Sequence, residues 1–345
     1  MRVLTQSQLN EWLDELAERL RLVAPVDVQG RVLYRPVQEH EALAWGFERA
    51  DMSPKTWTFA ATEAILTVEQ GPGTQIKDAP PPDPTVIFGV RPCDARAALA
   101  IDALFLGKEP RDGRYAQHRD VTTLIGLACP GMWESCFCTV VGGSPNGTKG
   151  LDILLTELDA SDKGHTYAVQ VLSSKGEGLM AGVPGEDRDV ALPEPRLTEG
   201  LPKLSPSADW RAKFNDAYWK RLADRCLACR ACTFVCPTCR CFDVRDEVAW
   251  RRAGLTVFER LRAWDACTSA PYRRIAGGHN PRPTPHSRLR NRFYCKFVYY
   301  PDDFGPLGCV GCGRCIDTCP VNIDILEVLS DVARLAAREP AEVSA

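Results

Sequence analysis

Two segments of the chain carry the same spacing of four cysteines followed by a proline. The first is CLACRACTFVCP (226–237) and the second is CVGCGRCIDTCP (309–320). Each has the form Cys-x2-Cys-x2-Cys-x3-Cys-Pro, the run with which bacterial ferredoxins bind a [4Fe–4S] cluster. One such run is a strong signal, because three thiolates separated by two residues can wrap one corner of a cube. Two runs predict a pair of clusters.

The ligands are predicted to cross between the two runs, because in two-cluster ferredoxins the fourth cysteine of each run ligates the other cluster. Residues 238–308 lie between the runs, an insertion far longer than a compact ferredoxin has. The predicted ligands of a first cluster, site 1, are Cys226, Cys229, Cys232 and Cys319. Those of a second cluster, site 2, are Cys309, Cys312, Cys315 and Cys236.

A third group of cysteines lies in the N-terminal half. Cys93 follows TVIFGV (85–90), a short apolar run typical of a buried strand, and a second such run, TTLIGLAC (122–129), ends in a cysteine. Since sites assemble at the carboxyl ends of strands in open α/β sheets, these cysteines could hold a third [4Fe–4S] cluster. Small buried thiols are the alternative. The predicted set, site 3, is Cys93, Cys129, Cys136 and Cys138.

Four further cysteines belong to neither run, and we call them the fourth thiol set. Its members are Cys239, Cys241, Cys267 and Cys295. They could form a further cluster or a non-standard site, or they could be buried or line a partner surface. Cys239 and Cys241 are too close in sequence for both to lie passively on one regular face. The two interpretations stay open at this point.

The composition limits the class of protein. With 345 residues, 45% hydrophobic and 25% charged, the chain is expected to form about two soluble domains, and its net charge of −3 argues against a nucleic-acid binder. Sixteen cysteines would suit a secreted disulfide scaffold, but the N-terminal segment is an amphipathic helix without an apolar signal core. No apolar stretch approaches the roughly 20 residues that span a bilayer. We therefore expect a cytoplasmic protein without a membrane span.

The elements that must position the cysteines follow from the hydrophobic pattern. Thr5 and Gln8 predict a capping box for a first helix that ends at Pro25. Residues 150–172 predict a β-hairpin pair, and residues 209–225 predict one helix. The predicted fold is mixed, of the α+β type. An N-terminal α/β domain with site 3 (1–200) precedes a ferredoxin-like dicluster domain with a long insertion (201–345).

No catalytic residue is predicted. The chain has no GxGxxG, no GxxxxGK[ST] and no recognisable Ser–His–Asp pattern, so no nucleotide, flavin or substrate site is expected in it. Residues 266–300 contain no acid, and we expect their charge to tune the clusters and to dock an acidic or nucleotide-bearing partner. The cations of this stretch are Arg273, Arg274, Arg282, Arg288, Arg290, Arg292 and Lys296.

Several segments resemble a known family. They are CLACRACTFVCPTCRCFDVRD, WDAC, AGGHNPRP, RNRFYCK and CVGCGRCIDTCPVNI. They are similar to the beta subunit of cytosolic sulfhydrogenases, the NADP-linked group of [NiFe] hydrogenases, and also to the A-type subunit of anaerobic sulfite reductase. The N-terminal FGVRPCDARA and ACPGMWESCFC resemble cysteine segments of the same family, which favours a cluster at site 3.

The resemblance implies an electron-transfer subunit of an oxidoreductase complex. Its expected partners are a gamma-type subunit that binds FAD and NAD(P), and [NiFe] hydrogenase subunits. The alternative is the A-type subunit of an anaerobic sulfite reductase, which feeds a sirohaem subunit. Cys295 favours the hydrogenase relatives, because the resemblance implies a His at this position in the sulfite-reductase relatives. A regulatory or structural iron–sulfur protein is a third hypothesis.

Overall fold

The computed structural model describes residues 1–158, 164–205 and 207–337, and it confirms the predicted mixture of helices and strands. The strands are β1 (Arg2–Thr5), β2 (Arg21–Val28), β3 (Arg31–Pro36), β4 (Thr62–Gln70), β5 (Thr74–Asp78), β6 (Thr85–Val90), β7 (Thr122–Leu127), β8 (Ile153–Glu157), β9 (Thr166–Val171), β10 (Glu186–Asp187), β11 (Phe242–Arg252) and β12 (Leu255–Trp264). The α-helices are α1 (Gln6–Arg19), α2 (Pro92–Phe105), α3 (Gly113–Asp120), α4 (Ser174–Met180), α5 (Ser207–Ala212), α6 (Tyr218–Asp224), α7 (Ala231–Phe234), α8 (Pro285–Tyr294), α9 (Tyr300–Phe304), α10 (Arg314–Asp317) and α11 (Ile325–Ala337).

An eight-stranded sheet forms the core of the N-terminal half. Its strand order is β10-β1-β9-β8-β7-β6-β2-β3. The four strands β8, β7, β6 and β2 run parallel to one another, and the flanking strands pair antiparallel. All six residues of β6 are buried, as expected of a central parallel strand covered on both faces. The sheet therefore presents the carboxyl ends of β6 and β7 side by side.

The first helix is capped as predicted but ends earlier. Thr5 and Gln8 form the capping box, which confirms that prediction, whereas the end predicted at Pro25 is wrong because α1 stops at Arg19. Pro25 lies inside β2, and its carbonyl accepts a hydrogen bond from Ala44, at 2.8 Å, beyond the last pair that β2 makes with β6. Since N and O of one strand residue point to the same side, the missing N–H of Pro25 removes no ladder bond there.

Two other sequence-based predictions have different outcomes. The β-hairpin predicted in residues 150–172 is confirmed by the antiparallel pair β8–β9, and its connecting residues 159–163 lie outside the described residues. The single helix predicted over 209–225 is wrong, because the segment forms α5 and α6 with a turn between them. The Asp216 carboxylate accepts a hydrogen bond from the backbone N–H of Tyr218, at 2.8 Å, and so starts a new helix.

A second, four-stranded antiparallel sheet has the order β11-β12-β4-β5. Strands β11 and β12 come from the insertion between the cysteine runs, while β4 and β5 come from residues 62–78. This sheet therefore joins residues on both sides of the predicted division near residue 200. Arg262 of β12 binds Glu63 of β4 at 2.5 Å and Asp112 at 2.5 Å, with its own side chain buried. None of the described helices has the length and apolarity to cross a membrane.

Candidate iron–sulfur sites

Site 3 lies at the carboxyl ends of β6 and β7. Cys93 occupies the first turn of α2, directly after β6, and Cys129 follows β7 by two residues. Cys136 and Cys138 come from the following loop, where Cys138 begins a 3-10 turn (Cys138–Val141). All four line one cavity. The structure thus brings together the four cysteines that the sequence assigned to site 3.

Arginine side chains surround site 3. Arg49 Nη1 lies 3.7 Å from the Sγ atom of Cys136, and Arg91 lines the same cavity. Arg96 donates to the Val141 carbonyl at 2.6 Å. One nitrogen of each guanidinium is buried and has no hydrogen-bond partner among the described residues: Nε of Arg49, Nε of Arg91 and Nη1 of Arg96. Buried donors of this kind normally have partners, so the cavity suits an anionic group that accepts hydrogen bonds, as a thiolate-ligated cluster does.

The loop of site 3 packs against the second cysteine run. The N–H of Phe137 donates to the carbonyl of Gly311 at 2.8 Å. Gly311 has φ +69°, and a Cβ atom there would stand 2.5 Å from the Phe137 backbone. At Gly313, with φ +76°, a Cβ would stand 2.3 Å from Ser135 Oγ. Only glycine fits at these two positions of CVGCGRC, because both the backbone angle and the close approach exclude a side chain.

A buried ion pair fixes the same junction. Arg314, which begins α10, donates from both Nη atoms to the two carboxylate oxygens of Asp94 in α2, each at 2.7 Å. Its Nε also donates to the Ala50 carbonyl at 2.8 Å. Both side chains of the pair are almost fully buried, at 2% and 0% exposure. The second run is therefore anchored on the N-terminal half by a bidentate, fully hydrogen-bonded pair.

Site 1 is a cavity near the protein surface. Its four predicted ligands all line it: Cys226, Cys229, Cys232 and Cys319. The backbone turns around the cavity with positive φ angles at Ala228 and Arg230, and the N–H of Ala228 lies 3.4 Å from Cys226 Sγ. Thr268 Oγ1 and Arg292 Nε are buried on the cavity wall with no partner among the described residues. Site 1 therefore offers donors to a bound anion, as site 3 does.

Site 2 is the most enclosed of the three. The thiol of Cys236 interacts electrostatically with each of Cys309, Cys312 and Cys315, which places the predicted ligand set in one neighbourhood. The buried Lys296 donates to Cys236 Sγ at 3.2 Å and to the Gly308 carbonyl at 3.0 Å. Burial by itself lowers the pKa of Lys296, but electrostatic interactions with the sulfur atoms of Cys236, Cys239 and Cys309 outweigh burial and raise this pKa well above its usual value. A permanent positive charge thus lies against site 2.

Site 2 contacts each of the other three cysteine sets. Cys315 also lines the cavity of site 1, and Cys312 also lines the cavity of site 3. Cys236 hydrogen-bonds with Cys239 of the fourth thiol set. The four sets therefore form one connected group with site 2 at its centre.

The members of the fourth thiol set also lie together. Cys267 interacts electrostatically with Cys239, Cys241 and Cys295. The structure thus brings into one neighbourhood the four thiols whose role the sequence left open.

Burial opposes the ionisation of several thiols at these sites. Burial raises the pKa of Cys129 and of Cys312 to about 12, and that of Cys309 to about 11. A coordinated metal deprotonates a thiol outright, and so reverses this cost. Within residues 1–158, 164–205 and 207–337, no three His, Cys, Asp or Glu side chains are arranged to hold a single metal ion. A four-iron cube has one thiolate on each iron, so its ligands surround the cluster.

The acid-free stretch places only some of its cations at the cysteines. Arg292 lines site 1 and Lys296 contacts site 2, whereas Arg290 lies over the Phe214 ring, 3.6 Å from its centroid. Arg49 and Lys55, from the N-terminal half, were not expected at the cysteines. The Nζ atom of Lys55 donates to the carbonyls of Cys236 and Cys239, at 3.1 and 2.8 Å. No local sequence pattern marks these two residues, because they reach the site through tertiary contacts.

Two comparisons with known proteins agree with these sites. The family described as "4Fe-4S dicluster domain" matches residues 225–323. Sulfhydrogenase 2 subunit beta of Pyrococcus furiosus is 31% identical over 339 residues, which cover 93% of this chain and 95% of that protein. The chain belongs to the sulfhydrogenase beta-subunit family. No solved structure matches it.

The membership confirms the resemblance predicted from the cysteine segments. The match to the dicluster domain also confirms that this member of the sulfhydrogenase beta-subunit family has an iron–sulfur dicluster region, which spans sites 1 and 2. The number of clusters and the ligands of each one stay predictions.

Proposed function

We propose that this protein is the electron-transfer subunit of a hydrogenase complex, and that it relays electrons between a partner binding FAD and NAD(P) and [NiFe] hydrogenase subunits. The observation that carries the proposal is that two different cysteines of site 2 line the neighbouring cavities, Cys315 that of site 1 and Cys312 that of site 3. A [4Fe–4S] cluster supplies reversible one-electron chemistry at a potential set by charge, hydrogen bonds and exposure. Three such sites in contact make a continuous path, with the ligands predicted for sites 1, 2 and 3.

The path reaches the surface at one end. Cys229 of site 1 is exposed, and the adjacent Leu227 is 66% exposed, which offers an apolar contact to a partner. At the other end, site 3 adjoins a second cavity, which is lined by Arg96 and Lys149, among others. Site 2 is buried between them. A relay requires this order, with a protected centre and two accessible ends.

The side chains around the sites balance the negative charge of the clusters. Lys296 supplies a cation at site 2, Arg292 does so at site 1, and Arg49 at site 3. Because the dielectric constant inside the protein is low, each buried cation stabilises the reduced, more negative state of its neighbour strongly. The chain therefore keeps the clusters reducible while it excludes water from the central one.

The test is reduction of the anaerobically purified chain by its proposed partners. NADPH with the flavin-binding subunit, or hydrogen with the [NiFe] subunits, should bleach the visible absorbance of the clusters, and oxidation by the other partner should restore it. Omission of either partner is the control. Clusters that neither partner reduces would contradict the relay and favour a structural role.

A further inference from the structure

The fourth thiol set is assembled by two elements of the insertion. Cys239 and Cys241 directly precede β11, and Cys267 follows β12. Since β11 and β12 pair from Phe242↔Trp264 onward, both ends of this hairpin meet at its base. The N–H of Asp265 closes the base with a hydrogen bond to the Cys241 carbonyl, at 2.9 Å. The hairpin thereby brings Cys267 close to Cys239 and Cys241, from which it is distant in sequence.

The fourth member comes from a helical irregularity. Cys295 begins a π-helical turn (Cys295–Tyr299) that interrupts the path from α8 to α9. Such turns are rare and are found frequently at functional sites. Two successive residues of this turn lie at two neighbouring groups of thiols. Lys296 contacts Cys236 of site 2, and Cys295 belongs to the fourth thiol set.

Two thiols of this set, those of Cys241 and Cys267, hydrogen-bond with each other, and cations lie beside the set. Arg240 donates to Cys295 Sγ at 3.3 Å, and Lys296 Nζ lies 3.7 Å from Cys239 Sγ. Cys241 hydrogen-bonds with Cys267, and Arg240 lies close to it. Cysteine side chains grouped beside cations in this way are suited to metal ligation, because the thiolate is the ligand and a nearby cation favours it.

We propose that Cys239, Cys241, Cys267 and Cys295 bind a fourth [4Fe–4S] cluster, one thiolate to each iron. The four thiols match the ligand number of such a cluster, and the cations around them balance its charge. Through the contact of Cys239 with Cys236, this cluster would adjoin site 2, which then has three neighbours. The residues of the fourth thiol set support the binding of a cluster by themselves. A role of this cluster as a branch of the relay rests on the proposed function.

The test is the iron, sulfide and zinc content of the full-length chain purified anaerobically. Four clusters require about sixteen irons and sixteen acid-labile sulfides per chain. Cys267→Ala should lower both by about four, with the reduced paramagnetic signals of the other clusters retained. Cys295→Ala, at the half-buried π-helical position, is the second variant in case the first one fails to fold. Val248→Ala, exposed on the same hairpin, is the matched control and should keep the full content.

Three outcomes would overturn the site. A natural chain with about twelve irons, none of them lost in Cys267→Ala, would exclude the fourth cluster, as would one zinc ion per chain lost in that variant. A disulfide between Cys241 and Cys267, seen as two protected thiols under denaturing alkylation, would also exclude it. The proposed function fails separately: about sixteen irons that no partner reduces would contradict the relay and leave the fourth site standing.

Discussion

The Nζ atom of Lys296 lies 3.2 Å from the Sγ atom of Cys236 in the interior of the protein. This ammonium lies directly against site 2, and it stabilises the more negative, reduced state of a cluster there. We expect Lys296→Met to lower the reduction potential of one cluster by more than about 59 mV, the shift that corresponds to a tenfold change for one electron. Redox titration followed by paramagnetic resonance measures this.

Lys77→Met is the matched control, since Lys77 is an exposed strand residue paired with Glu69 in the second sheet. This variant should titrate like the natural protein. Unchanged potentials in Lys296→Met, with full iron content, would show that the ammonium does not act on a cluster.

Cys312 tests the central position of site 2. Its side chain lines the cavity of site 3, while its thiol interacts with Cys236 of site 2. Cys312→Ala should remove about four irons and separate site 1 from site 3. Electrons from one partner should then reduce only the clusters on its own side, and turnover of the complex should stop. Rapid-mixing absorbance measurements with each partner in turn show which share of the clusters that partner reduces.

Ser135→Ala provides the control for this junction. Ser135 donates to Asp317 at 3.1 Å beside the same cavity but is not a predicted ligand. It should keep the full iron content and the natural rate of reduction. Reduction kinetics of Cys312→Ala equal to those of the natural chain would contradict a path through site 2.

The ion pair of Arg314 with Asp94 is expected to stabilise the junction between the second run and α2. Removal of one partner leaves a buried charge unpaired, so Arg314→Ala should lower the free energy of unfolding by about 3–5 kcal/mol. The double variant Asp94→Ala/Arg314→Ala should recover part of that loss. Denaturant unfolding of all four proteins, under anaerobic conditions and with iron content checked, gives the coupling energy. A coupling energy near zero would show that the two groups act independently.

Much of the candidate site could be predicted from local sequence because cluster ligands follow fixed spacings. The runs at 226–236 and 309–319 specify their thiols directly, and Cys93 and Cys129 follow from two apolar strands that end together. The crossing of Cys236 and Cys319 between the runs follows from the two-cluster pattern. The structure places Cys319 in the cavity of site 1 and Cys236 beside the cysteines of site 2.

The remaining features depend on contacts between distant parts of the chain. The pairing of β12 with β4 joins residues almost 200 positions apart, and no periodicity within either strand encodes it. Lys55 and Arg49 reach the cysteines in the same way. The break between α5 and α6 has a different origin: the hydrophobic pattern predicts one continuous helix, whereas the local hydrogen bond of Asp216 starts a second helix.

Glu63 links the second sheet to α3 and should make stability depend on pH. Burial opposes its ionisation, but hydrogen bonds from His118, Arg262 and Arg114 outweigh burial and lower its pKa from 4.5 to about 2. Because the folded-state pKa is the lower one, the stabilisation is full above about pH 5 and is lost as the pH falls toward 2. One pKa unit corresponds to about 1.4 kcal/mol, so this group contributes roughly 3 kcal/mol at neutral pH.

Glu63→Gln should therefore lower the free energy of unfolding at pH 7 by on the order of 2–3 kcal/mol, and the difference from the natural protein should shrink between pH 5 and pH 3. Glu69→Gln, which removes a partly exposed carboxylate of the same strand, should change stability by less than about 1 kcal/mol. Denaturant unfolding of the three proteins at several pH values measures both effects, with the iron content of each protein checked at each pH. A difference for Glu63→Gln that stays constant down to pH 3 would exclude the depressed pKa as its cause.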